Sequence, residues 1–178
     1  MNKIITANYR EAEPQVISRD GNSFAVKPVI QEADAGKCAA SFVEVEPGAY
    51  AYGYHYHEVN EEVFYIIKGH AVVRTPEGEI SLKEGDAIAF PASPEGAHVI
   101  RNGSATEKLV YLDVGTRLTP DVVHFPEERR AALFWWEGAR EPVFPWPHEV
   151  LAFALGMSAA EAAAVWKPLE PPFGNGAL

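Results

Sequence analysis

The chain has 178 residues, of which 47% are hydrophobic and 22% charged, so it can bury the core of one domain and is too apolar to be disordered. A formal net charge of -10 disfavours nucleic acid as a partner, because an acidic surface repels phosphate. The apolar runs are too short to span a bilayer and the N-terminus lacks a signal-peptide core. Together these features predict a cytoplasmic protein with no membrane partner.

The composition also limits covalent cross-linking and helix content. Cys38 is the single cysteine, so no disulfide can form within the chain, which fits a reducing compartment. Its apolar neighbours predict that Cys38 is a small buried side chain. The 14 prolines and 14 glycines predict many turns, and this favours short strands over long helices.

Short extended segments follow one another as far as residue 125. Turn signals such as Pro47-Gly48, Pro76-Glu77-Gly78 and Asn102-Gly103 separate them. Strands of this length, with turns this close together, predict an antiparallel all-β barrel or sandwich. The predicted strands are 16–18, 24–30, 40–46, 49–57, 62–68, 71–75, 79–82, 87–90, 98–102, 109–114 and 121–125.

The segment 49–57 alternates between tyrosines and smaller residues or histidines. Since alternate side chains of a strand lie on opposite faces, one face is predicted to carry a tyrosine ladder. We interpret the ladder as an outer sheet face or a subunit interface, because tyrosine is common at interfaces. A substrate-stacking role is the alternative. The ladder consists of Tyr50, Tyr52, Tyr54 and Tyr56.

Two histidines in the same segment indicate a metal site. His55 and His57 are two residues apart, so both point to the same side of one strand. Two imidazoles held in this way make half of a metal site. A carboxylate follows at Glu61 or Glu62, and we prefer Glu62 because it shares a strand face with Phe64. Ordinary polar strand positions are the alternative interpretation of the histidines.

The strand 62–68 is apolar on both faces, which predicts burial on both sides of the sheet. Glu62 is the exception within this apolar series. An unpaired charge there would be costly, and a metal ion would neutralise it.

The character of the chain changes after the last predicted strand. Prolines interrupt the region, and 149–157 and 158–166 are predicted as short helices, the second opened by a capping box. We therefore expect a domain at 1–125 and an extension at 126–178 that packs on the barrel or on a partner subunit. The extension contains all four tryptophans, Trp135, Trp136, Trp146 and Trp166.

The histidine segment resembles the first motif of the cupin superfamily. That motif reads Gly, five residues, His-x-His, three or four residues, Glu, six residues, Gly. Here four residues separate His57 from Glu62, and six separate Glu62 from Gly69. The leading Gly48 departs from the pattern, because six residues separate it from His55.

A second stretch is similar to the second cupin motif: Gly, five residues, Pro-x-Gly, two residues, His, three residues, Asn. Gly85 and Pro91 have the expected spacing, as do His98 and Asn102. Between Pro91 and His98 the loop is longer than in the family, and only one residue separates Gly96 from His98. The resemblance covers about 40–115.

The resemblance implies a double-stranded β-helix, the jelly-roll barrel of the cupins, with a short, partly helical C-terminal extension. It also implies one divalent metal, with two open coordination positions, bound by His55, His57, Glu62 and His98. Three imidazoles and one carboxylate suit a transition metal such as Zn, Mn, Fe or Ni, and not Ca or Mg. Cupins commonly form dimers, so we expect a homodimer.

Several functions are compatible with this resemblance. The first is a metal-dependent enzyme on a small oxygenated, carbohydrate-like substrate, such as a sugar-phosphate isomerase, with Glu61 or Tyr54 as candidate catalytic residues. The alternatives are an Fe-dependent dioxygenase of a small molecule, and a non-catalytic, metal-stabilised cupin that binds or senses a ligand. His70, His124 and His148 lie outside the motifs and are expected to be ordinary surface or packing residues.

Overall fold

The computed structural model describes residues 4–19, 22–31, 36–128 and 130–134. These residues form strands joined by short turns, with one 3-10 turn at Pro94–Gly96. The strands are β1 Gln15–Arg19, β2 Asn22–Ile30, β3 Cys38–Val45, β4 Tyr50–His57, β5 Glu62–Lys68, β6 His70–Thr75, β7 Gly78–Lys83, β8 Ala87–Phe90, β9 His98–Asn102, β10 Leu109–Thr116, β11 Asp121–Phe125 and β12 Arg130–Phe134.

The strands pair into one sheet that curls into a nearly closed barrel. Its order is β7-β6-β9-β4-β2-β3-β10-β5-β8, with β1 added to β2, and β11 joining β4 to β12. Neighbouring strands are antiparallel, except for one parallel bridge between Asn22 of β2 and Tyr50 of β4. The predicted all-β double-stranded β-helix is confirmed. The predicted strands 87–90, 98–102 and 121–125 match β8, β9 and β11 residue for residue.

The core is built by strands that alternate between interior and exterior. In β10 every second residue from Leu109 to Gly115 is buried, as expected of a strand with one face toward a core. Burying a large apolar side chain contributes about 1.5–3 kcal/mol, so this face stabilises the barrel. The buried cluster consists of Phe24, Val43, Val45, Ala51, Phe64, Ile66, Ala71, Val73, Leu82, Phe90, Ile100, Leu109 and Tyr111.

The prediction that β5 is buried on both faces is wrong. Glu62, Phe64 and Ile66 face the interior, while Val63 and Tyr65 are 43% and 45% exposed. The run of apolar residues therefore does not reflect two-sided packing. An antiparallel sheet with one face on the core leaves the other open, whatever residues occupy it.

The tyrosine ladder of β4 is wrong at Tyr52. The pairing of β4 with β9 shifts between Ala51 and His55, so that β4 uses four residues where β9 uses two. Tyr52 lies in this bulge with a φ of 60°, a backbone conformation that residues other than glycine rarely adopt. Its ring turns inward and packs on Phe24 at a centroid distance of 4.7 Å. Because the bulge adds an even number of residues, His55 remains on the same inward face as Ala51.

Two further expectations concern the ends of the fold. Cys38 is exposed at the start of β3, so the prediction that it is buried is wrong. β12, which pairs with β11, lies near the start of the predicted extension 126–178, whereas the two short helices, all four tryptophans and His148 lie outside the described residues. Within the described part of the chain, no helix is long and apolar enough to cross a membrane.

Gly69 ends β5 in a position that only glycine fills without strain. Its φ is +92°, and a Cβ there would lie 2.9 Å from the carbonyl oxygen of Lys108. We expect Gly69→Ala to lower the free energy of unfolding by about 2–4 kcal/mol, from backbone strain plus a steric clash. Chemical denaturation of the variant and the wild type measures this loss.

Gly48→Ala is the matched control. Gly48 also has a positive φ, +71°, but a Cβ would meet no atom within 4 Å. The expected loss is about 1–2 kcal/mol, from backbone strain alone. Equal losses for the two variants would show that the contact with Lys108 is unimportant.

Candidate metal centre

The strand pairing brings the predicted ligands to one end of the barrel interior. His55 and His57 lie at the end of β4, His98 begins β9, and Glu62 begins β5. His55 is paired directly with His98 across the two strands, so their rings lie side by side at a centroid distance of 4.7 Å. Glu62 reaches the group from the opposite wall.

The three imidazoles converge on one carboxylate oxygen. The Nε2 atoms of His55, His57 and His98 lie 3.6, 3.7 and 3.4 Å from Oε2 of Glu62. In His55, Glu62 and His98, the possible ligand atoms all lie within 4.8 Å of one another. The four residues singled out in the sequence are therefore neighbours in space.

The tautomer of each histidine is set by a bond at its other ring nitrogen. Nδ1 of His55 lies 2.8 Å from the carbonyl oxygen of Gly53, and Nδ1 of His98 lies 2.9 Å from that of Gly96. Nδ1 of His57 lies 2.6 Å from a carboxylate oxygen of Asp121. Because these oxygens only accept, each Nδ1 must carry the proton. In its neutral form, each ring would then present an Nε2 lone pair to the Glu62 carboxylate.

The long loop before His98 provides one of these acceptors. The 3-10 turn Pro94–Gly96 places the carbonyl of Gly96 beneath the His98 ring. A Cβ at position 96 would lie 2.0 Å from the carbonyl oxygen of Pro91, so only glycine fits the loop as it is folded. The loop before His98 therefore orients this histidine although its length departs from the family spacing.

Burial and mutual charge fix the protonation states of the group. Burial by itself raises the pKa of Glu62, but the neighbouring imidazoles, His55 above all, outweigh it and hold the pKa low. Burial, followed by the charge of His55, lowers the pKa of His98 to about 4. Burial also lowers the pKa of His55, but Glu62 outweighs it and the net shift is upward. The centre therefore contains an ionised carboxylate beside a neutral His98.

The donor set and its unsatisfied atoms fit a transition-metal dication. Among the described residues, Oε2 of Glu62 and Nε2 of His98 are buried and have no hydrogen-bond partner. A buried polar atom left in this way costs about 1–3 kcal/mol, and a cation between the two atoms would remove the cost. Imidazole nitrogens with one carboxylate suit first-row transition metals, whereas Ca²⁺ and Mg²⁺ prefer oxygen ligands.

Asp121 holds His57 in place and was missed in the sequence. Its side chain is almost fully buried, and Oδ2 accepts from Nδ1 of His57 and from the amide of Asn60 at 2.7 Å. Oδ1 accepts from the backbone N–H of Val59 at 3.0 Å. Burial raises the pKa of Asp121, but these hydrogen bonds outweigh it and the net shift is downward. An ionised carboxylate behind a ligand histidine is the usual support of a metal site.

Aromatic rings line the group on several sides. The ring of Phe90 stacks on His98 at a centroid distance of 3.5 Å, and Phe64 meets the same imidazole edge-on at 5.4 Å. Phe125 of β11 stacks on His55 at 5.8 Å. These contacts restrict the rotation of the imidazoles and shield the centre from water.

The two candidate catalytic residues lie elsewhere. Glu61 is exposed, and its backbone N–H donates to the hydroxyl of Thr116. The Tyr54 ring lies beneath the guanidinium of Arg74 at 4.3 Å, and Arg74 in turn pairs with Glu127. Neither is among the described contacts of Glu62, so the structure does not bring Glu61 or Tyr54 to the predicted ligands.

The other histidines have ordinary partners. His70 is exposed and its Nε2 lies 3.0 Å from the hydroxyl of Ser81. His124 pairs with Glu58 at 2.7 Å and stacks on Tyr56. These contacts agree with the expected surface or packing roles. Asn102 of the second motif holds a turn, since its side chain donates to the carbonyl oxygens of Val45 and Glu107.

Asp113 and Tyr111 extend the polar wall inward from Glu62, and no motif of the sequence indicates this. Burial, then the charge of Glu62, raises the pKa of Asp113 to about 8, against the opposing charges of Arg117 and His55. Burial also raises the pKa of Tyr111, and Tyr52 and Asp113 add to the shift. These mutual effects place the groups in one interior region.

We expect Asp121→Asn to lower the free energy of unfolding of the metal-free protein by about 1–3 kcal/mol at pH 7. The substitution replaces one of two acceptor oxygens by a donor that faces N–H groups. Because the pKa of Asp121 lies below its ordinary 3.8 in the folded protein, its stabilising effect is present above that value. It is lost as the pH falls through the folded-state pKa. Chemical denaturation of the variant and the wild type, in the presence of a chelator and over this pH range, measures the difference in their free energies of unfolding. This difference should become smaller in acid.

Asp86→Asn is the control for this measurement. Asp86 accepts one backbone N–H, from Lys83, and an asparagine oxygen can accept it equally well. We therefore expect little change in stability. If Asp121→Asn were as harmless as Asp86→Asn, the network around His57 would not be a stabilising one.

Comparison with known proteins agrees with the geometry. The family Cupin_2, described as a cupin domain, matches residues 41–115. No curated protein sequence matches the chain.

Solved structures share the fold at low sequence identity. A sugar phosphate isomerase of a cupin superfamily from Silicibacter pomeroyi is 22% identical with a TM-score of 0.65, covering 79% of this chain and 91% of that one. A proposed sugar phosphate isomerase from Acidithiobacillus ferrooxidans is 24% identical with a TM-score of 0.61, covering 90% of both. A predicted oxalate decarboxylase from Thermotoga maritima is 23% identical with a TM-score of 0.57, covering 64% of this chain and 100% of that one. Residues 41–115 of the chain therefore match a cupin domain, and the solved structures share its fold.

Proposed function

We propose that the chain is a metal-dependent enzyme acting on a small oxygenated, carbohydrate-like substrate, in the manner of a sugar-phosphate isomerase. The observation that carries the proposal is the convergence of three imidazole Nε2 atoms on the buried Glu62 carboxylate. Two of the solved structures with the same fold are described as sugar phosphate isomerases, one of them as a proposed one, which supports the choice of substrate class.

The proposed ligands are His55, His57, Glu62 and His98, and the proposed metal is Zn, Mn, Fe or Ni. A bound dication supplies Lewis acidity, which polarises a carbonyl or hydroxyl oxygen of a sugar. The chain supplies the rest of the environment. Asp121 keeps the His57 ring oriented, and Phe90 with Phe125 keeps water from the flanks of His98 and His55.

Enzymatic use is favoured over a purely structural metal by the surroundings of the site. Polar groups that have no partner within the described residues continue inward from Glu62, at Tyr111 and Asp113. A metal that served stability alone would not require them, because each such group costs stability. A homodimer and a cytoplasmic location remain predictions.

Metal content tests the ligand assignment. We expect the purified protein to hold one equivalent of transition metal per chain, measured by elemental analysis. Glu62→Gln keeps the shape of the side chain while removing its charge, so metal affinity should fall by at least about tenfold without loss of the fold. His98→Ala should abolish stoichiometric binding.

His70→Ala is the matched control, because His70 is exposed and its ring nitrogen Nε2 is hydrogen-bonded to Ser81. Its metal content should equal that of the wild type. Unchanged metal content in both Glu62→Gln and His98→Ala would contradict the assignment.

Turnover without oxygen tests the reaction class. The metal-loaded protein, incubated anaerobically in D₂O with a panel of aldose and ketose phosphates, should interconvert one pair and place deuterium on the carbon next to the carbonyl. Glu62→Gln should lower the rate at least tenfold at equal protein concentration. Oxygen uptake with no anaerobic turnover would instead identify a dioxygenase, and ligand binding without either reaction would identify a sensing module.

A further inference from the structure

The inward face of β10 continues the polar wall of the metal centre. Gly115 is paired with Glu62 of β5, Asp113 with Phe64 and Tyr111 with Ile66. Successive inward positions of a strand are about 7 Å apart, so Asp113 and Tyr111 lie one and two steps deeper than the carboxylate. A small molecule beside the metal would extend toward them.

Both side chains carry buried polar atoms without a partner. Asp113 is 8% exposed and Tyr111 is fully buried. Within the described part of the chain, Oδ1 of Asp113 and the hydroxyl of Tyr111 have no hydrogen-bond partner. Native proteins satisfy nearly all such groups, so two of them in one interior region indicate a ligand that is present in the working protein.

The opposite wall is shaped by a strained residue. Tyr52 has a φ of 60° in the bulge of β4, and its ring lies 6.4 Å from that of His55. Backbone strain of this kind costs stability and concentrates at functional sites. Burial raises the pKa of Tyr111, and Tyr52, Asp113 and Glu62 add to the shift, as expected of groups that share one interior region.

We propose that Asp113 and Tyr111 form a subsite that hydrogen-bonds the hydroxyl groups of a polyhydroxylated ligand held beside the metal centre. This inference rests on the proposed function and names the part of the substrate that the barrel interior recognises.

Charge excludes the other ligand chemistries. A phosphate at this position would face the ionised carboxylate of Glu62, so the anionic end of a sugar phosphate must point away from it. An ammonium group would be repelled by a dication at the histidines and by the charge of Arg117, which acts on Asp113. A hydroxyl is neutral, and it can donate to a carboxyl oxygen of Asp113 in either protonation state while accepting from a phenol.

Binding of two matched five-carbon probes tests the subsite. Ribitol carries hydroxyls on every carbon, and 1,5-pentanediol lacks the three inner ones. We expect the metal-loaded wild type to bind ribitol at least tenfold more tightly, measured by calorimetry or NMR titration. Tyr111→Phe and Asp113→Asn should each reduce the ribitol affinity about five- to tenfold, while metal content stays at one equivalent.

Stability separates binding from a structural role. Tyr111→Phe removes a buried hydroxyl that lacks a partner, and Asp113→Asn removes a titratable group from a buried position. The Tm of the ligand-free variants should therefore be equal to that of the wild type or higher. Tyr65→Phe, on the exposed face of β5, is the control and should change neither property. Lower Tm values with unchanged ribitol affinity would overturn the proposal.

The same measurements distinguish the two proposals. If the purified wild-type protein held no metal, the proposed function would be contradicted. If that protein still bound ribitol more tightly than 1,5-pentanediol, the subsite would be supported. Bound metal with equal affinity for ribitol and 1,5-pentanediol would overturn the subsite alone.

Discussion

The Nε2 atoms of three imidazoles surround one carboxylate oxygen inside the barrel, at nitrogen–oxygen separations of 3.4 to 3.7 Å. Each histidine has already used its other nitrogen on an oxygen acceptor. The group is therefore electron-rich and buried, and a dication is the simplest way to stabilise it. The pairing of β4 with β9, the bulge at Tyr52 and the tight loop at Gly96 all serve to hold this arrangement.

Some polar residues around the centre make all their hydrogen bonds within the described residues, and others do not. Asp121 is fully used, since it accepts from His57, Asn60 and Val59, and it makes the outer side of the site rigid. On the inner side, Oδ1 of Asp113 and the hydroxyl of Tyr111 are buried and have no hydrogen-bond partner within the described residues. A protein keeps such costs where they serve binding or chemistry, which makes the inner side the place where a substrate acts.

Much of the fold, and the four candidate ligands that the structure brings together, could be predicted from local sequence patterns and the family resemblance. The spacing of His55 and His57 fixes a common face, and the turn residues mark the strands on either side. Asp121 could not be found in this way, because it lies 64 residues from its partner His57 and only the pairing of β11 with β4 brings them together. The inward turn of Tyr52 arises from a bulge, and no alternating pattern reports a bulge. The exposed face of β5 shows the same limit, since apolar residues there do not mean burial.

The central claim is that one transition metal is bound by His55, His57, Glu62 and His98. Anomalous diffraction from crystals of the purified protein, recorded at the absorption edge of the metal found in it, tests this most directly. The account predicts a single peak about 2.0–2.2 Å from the Nε2 atom of each histidine and from a carboxylate oxygen of Glu62. An anomalous peak at any other group of side chains, or the absence of a peak between these four residues, would contradict the account.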